Sequence, residues 1–182
     1  PFSFKPSWAE VAELDEAAQL ERLADPDFRH KLITEESVYP DSDVQILTEL
    51  MATAFSMQYE LSDGFDYEPS AQQSIAYLAE QAGVSGAEYA YDLLMSDGGR
   101  GFIYFPLLNY ADGNLNFLEP VLQSDDCINS LSDGGAHCGT ICDAASPTFM
   151  LQHWVRDREG FKLSLSQAIK RQCADTAKVY GL

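Results

Sequence analysis

The residues best suited to chemistry gather in one stretch, Ile128-Asn-Ser-Leu-Ser-Asp-Gly-Gly-Ala-His137, which runs on through Cys138-Gly-Thr-Ile-Cys-Asp143. A short apolar run reaches Ser132 and Asp133, and two glycines follow at once. The glycines allow a sharp turn and leave one face of the Asp133 carboxylate open to a ligand. A carboxylate held that way can take a proton from an attacking water and pass it to a leaving group. An acid at the end of an apolar strand also fits the edge where catalytic groups of (β/α)8 barrels sit. Ser-Asp-Gly-Gly is equally ordinary turn chemistry, because Asp and Gly populate loops for conformational reasons alone. The tetrapeptide by itself does not separate the two readings.

Two further candidates, Asn109 and Tyr110, follow the apolar run Gly-Phe-Ile-Tyr-Phe-Pro-Leu-Leu at 101–108. They stand where a second strand meets its loop, at the same rim as Asp133, in positions suited to touching a substrate. The four cysteines, at 127, 138, 142 and 173, include one C-x3-C but no second Cys/His pair at zinc-finger spacing. They point to packed thiols in a reduced, cytoplasmic protein rather than to a disulfide scaffold. The histidines are His30, His137 and His153. A net charge of −18 argues against nucleic acid and anionic membrane surfaces as partners, since phosphates would be repelled. No apolar run approaches the roughly 18 residues a membrane span needs.

The elements that must position these groups can be read along the chain. With 182 residues, 46% of them apolar, the length prior gives a single domain. Residues 1–8 read as an extended apolar segment, and 15–24 as a helix with Ala17, Leu20 and Leu23 on one face. Asp25-Pro26 caps and opens a second helix. Residues 44–61 mix signals: Val44, Leu47 and Met51 have helical spacing, whereas 54–61 alternate with the period of a half-buried strand. Helices are expected from Ser70 to near Gly83, and from Ser85, with Glu88 completing a capping box, to Asp97-Gly98-Gly99. The 101–108 run suits a parallel strand covered on both faces. A short helix at 115–122, a strand at 128–131, a helix at 149–155 and a capped final helix after Ser164 complete a βαβα rhythm. The fold class expected is α/β. Residues 1–69 would form a helical and loop insertion with one candidate strand, and 70–182 the final βα units.

Several runs carry a resemblance: Ala90-Tyr-Asp-Leu-Leu94, Ile103-Tyr-Phe-Pro-Leu-Leu-Asn-Tyr110, Ser132-Asp-Gly-Gly-Ala-His137, His153-Trp-Val-Arg-Asp157 and the closing Ala177-Lys-Val-Tyr-Gly-Leu182. Together they resemble the D-aminoacylase branch of the amidohydrolase superfamily, the N-acyl-D-amino-acid deacylases and their relatives. The resemblance spans essentially the whole chain. It implies a partial, distorted TIM barrel whose last two strands are 102–107 and 128–131. It also implies hydrolysis of the amide C–N bond of a small N-acyl-D-amino acid or similar amide. Asp133 matches the family's last metal-site ligand and general acid/base, with Zn2+ as the metal. The resemblance leaves Ser132, His137, Asn109 and Tyr110 as substrate-binding candidates. The loop 139–146 departs from the family, having Asp143 and no Arg or Lys where the well-studied deacylases hold the substrate carboxylate.

The family's His-x-His, its bridging ligand and its two further histidines have no match in this chain. The expectation is that they precede Pro1, and that the chain alone is inactive, because catalytic zinc takes three protein ligands. The alternative is a non-catalytic, acidic α/β binding module derived from such a barrel. A partial barrel would also expose strand edges, so self-association is expected.

Overall fold

The computed structural model describes residues 1–39, 41, 45–129 and 145–182. The chain forms two compact units, Pro1–Asn114 and Leu115–Leu182. Among the described residues it is α/β with helices predominating, and its one sheet has two antiparallel strands. No helix among the described residues is long and apolar enough to cross a membrane.

In the first unit, a 3-10 turn at Pro6–Glu10 takes the place of the extended start expected from sequence. Pro6 at its N-terminus supplies the fixed φ, and Ser7 is tied down by Glu35, which accepts from the Ser7 amide at 3.0 Å and from its hydroxyl at 2.8 Å. Helices α1 (Glu16–Leu23) and α2 (Pro26–Thr34) begin where the acids foretell: Asp15 and Asp25 accept from the amides of Ala18 and Phe28. Helix α3 is Gln45–Thr53. The alternating stretch that follows becomes a 3-10 turn, Phe55–Met57, and only Tyr59–Leu61 forms a strand, β1.

Ser70 caps a separate 3-10 turn, Ala71–Gln73, and Ser74 caps helix α4 (Ile75–Ala82), which ends on left-handed Gly83. Helix α5 (Gly86–Gly99) opens with the Ser85–Glu88 capping box and loses helical geometry at Ser96, Asp97 and Gly98. The core gathers Phe2, Val11, Leu23, Phe28, Leu32 and Tyr91, with Trp8, Ile33, Leu94 and Met95 packed against it.

Strand β2 (Phe102–Tyr104) corrects the parallel expectation. It pairs antiparallel with β1, Tyr59 opposite Tyr104 and Leu61 opposite Phe102, and it is not covered on both faces, since Phe102 is 65% exposed. It is also shorter than the apolar run promised. Pro106 has no amide hydrogen to give a ladder, and Asn109 takes a left-handed φ of 62°. At the other end, a Cβ on Gly101 would lie 1.8 Å from the Leu93 carbonyl oxygen, so only glycine fits the passage from α5 into β2.

In the second unit, α6 (Leu118–Gln123) precedes the 130–144 segment. Beyond it come α7 (Ser146–Phe149) and a π-helical stretch, Met150–Asp157. The Ser164–Gln167 capping box then starts α8 (Leu165–Lys170), which continues through a second π stretch, Arg171–Asp175, into α9 (Thr176–Tyr180). The junction residues keep right-handed helical dihedrals, so 165–180 is one continuous helix closed by left-handed Gly181.

Candidate functional site

Ser132, Asp133 and His137 lie outside the described residues, as does most of the strand expected at 128–131. The structure does describe the chain on either side of them. On the near side, the Arg171 guanidinium donates to the carbonyl oxygens of Cys127 (2.9 Å), Ser124 (3.0 Å) and Val121 (3.3 Å). On the far side, Gln172 Nε2 donates to the Pro147 carbonyl at 3.0 Å. Two adjacent residues of one helix therefore hold the backbone before and after the acid-bearing segment. Thr176 Oγ1 adds a longer bond, 3.5 Å, to the carbonyl of Asn129. Arg171 is 7% exposed, and its positive charge sits among the last carbonyls of α6, where a helix dipole favours a cation.

Arg158, just past the Met150–Asp157 stretch, is buried, 4% exposed. Its Nη1 donates to Glu119 Oε1 (2.9 Å) and to the Phe161 carbonyl (3.0 Å), and its Nη2 to Asn116 Oδ1. The guanidinium carbon stands 4.5 Å from the Trp154 ring centroid, a cation–π contact. The four-residue spacing of Trp154 and Arg158 was the available signal. His153 is 3% exposed and stacks flat on Phe149, with 5.1 Å between ring centroids and 10° between planes.

The two rim candidates have different fates. Asn109 is exposed, with its backbone in the left-handed region. Tyr110 is 5% exposed, and its hydroxyl donates to the Pro69 carbonyl at 3.0 Å, which anchors the 109–110 loop to the 69–70 turn. Burial pushes the Tyr110 hydroxyl pKa well above the ordinary tyrosine value. Close by in sequence, Tyr104 meets Phe65 (4.8 Å between centroids) and Tyr67 (5.9 Å) edge to face. Burial, reinforced by neighbouring tyrosines and by Glu68 and Asp66, pushes Tyr104 up to about 12.

Zinc is the metal the resemblance implies. Among the described residues, no group of three or more His, Cys, Asp or Glu side chains could hold a metal ion. His30 is exposed on α2, and His153 is packed between Phe149 and Trp154. The described residues do not by themselves fit a zinc ion. Compared with known proteins, the chain matches no family model, no curated protein and no solved structure.

Proposed function

We propose that this chain is the C-terminal portion of the catalytic barrel of a metal-dependent amidohydrolase of D-aminoacylase type. Its substrate would be a small N-acyl-D-amino acid or a related amide. The observation that carries this reading is the run Ser132-Asp-Gly-Gly-Ala-His137 with Gly139 and Ile141-Cys-Asp143 behind it. In this reading Asp133 takes a proton from the attacking water and delivers it to the leaving nitrogen, work that needs a carboxylate free on one face. The resemblance gives Asn109, Tyr110, Ser132 and His137 substrate-binding roles, and Tyr110, through its bond to the Pro69 carbonyl, holds the loop that carries Asn109. Arg171 and Gln172 support the reading by gripping the backbone at Cys127 and Pro147, on either side of the acid-bearing segment in sequence. Asp133 would be the last metal-site ligand, with the histidines supplied from sequence preceding Pro1.

The test is the reading frame. In-frame codons for a His-x-His after an apolar strand, with two further histidines before Pro1, are the expected result. A start codon at Pro1 would overturn the enzyme reading and leave an acidic α/β binding module.

A further inference from the structure

We draw no further inference here: the strongest candidate, the cleft of about 250 Å³ between the end of α6 and α8 on whose walls Gln123, Asp125, Gln167 and Arg171 stand, carries nothing, because Lys170 beside it is already paired with Asp175, the unpartnered Nε–H of Arg171 is buried out of a ligand's reach, and nothing in the structure shows what would fill the cleft.

Discussion

The two units are held together in different ways. Residues 1–114 are organised by apolar packing: helices α1, α2 and α5 close over Phe28 and Leu32, both essentially buried, and their ends are capped by Asp15, Asp25 and Ser85. Residues 115–182 also bury apolar side chains, Trp154 and Leu163 among them, but they add two buried arginines, Arg158 and Arg171, whose guanidinium groups donate to carbonyl and side-chain oxygens of neighbouring segments. The first unit spends its acidic residues on caps and surface. The second keeps two of its six cations, Arg158 and Arg171, inside. An apolar core tolerates a crowd of like charges outside it. A framework of pinned loops needs a cation with a fixed fork of donors wherever several carbonyls converge.

The sharpest way to test this contrast uses the two tryptophans, Trp8 in the first unit and Trp154 in the second. Phe28→Ala should cost about 4 kcal/mol by transfer and cavity terms. Its unfolding, followed in a Trp154→Phe background so that only Trp8 reports, should shift to much lower denaturant. Arg158→Ala should cost about 3 kcal/mol, since it leaves Glu119, Asn116 and the Phe161 carbonyl without their shared donor. In a Trp8→Phe background that loss should appear in the Trp154 signal. Equal losses from both substitutions in both signals would erase the distinction between the units. Ser85→Ala should cost about 1 kcal/mol, through loss of the α5 cap, and should move the Trp8 signal alone.

The smallest effect is expected with pH, and again in the first unit. Tyr104 is raised from 10.0 to about 12, so its folded form holds the proton more tightly than the unfolded chain does. The stability this confers is complete below pH 10 and is lost as pH rises through 12. Tyrosinate absorbance should therefore show a late-titrating group that Tyr104→Phe removes. At the acid end, hydrogen bonds from Ser85 hold Glu88 below its ordinary 4.5, so the stability it lends is lost as pH falls below that value.

Much of the helical layout was legible in the sequence, because caps are local. Asp15, Asp25, Ser85 and Ser164 each marked a helix start, and Gly83 marked an end. The strands were less legible. The 101–108 run has the composition of a covered strand, but its length is cut by Pro106 and its partner, Tyr59–Leu61, lies some forty residues away, information that no short window contains. The arginine pins were not legible for a related reason. Whether Arg158 is a wet helix end or a buried hub depends on Asn116 and Glu119, which are distant in sequence. Asn109 and Tyr110 come five residues or more after β2 ends at Tyr104 rather than at a strand's end, and nothing local tells that one faces water while the other spends its hydroxyl on Pro69. The acid-bearing stretch at 130–144 remains readable as sequence alone.

The measurement closest to the central claim is turnover of N-acyl-D-amino acids by the protein made from the complete reading frame, compared with its Asp133→Asn variant. Loss of the general acid/base should lower kcat by a factor of about 100 or more while the fold is retained. Unchanged turnover in Asp133→Asn, or no amide hydrolysis by the parent protein, would contradict the assignment of Asp133 as the catalytic carboxylate.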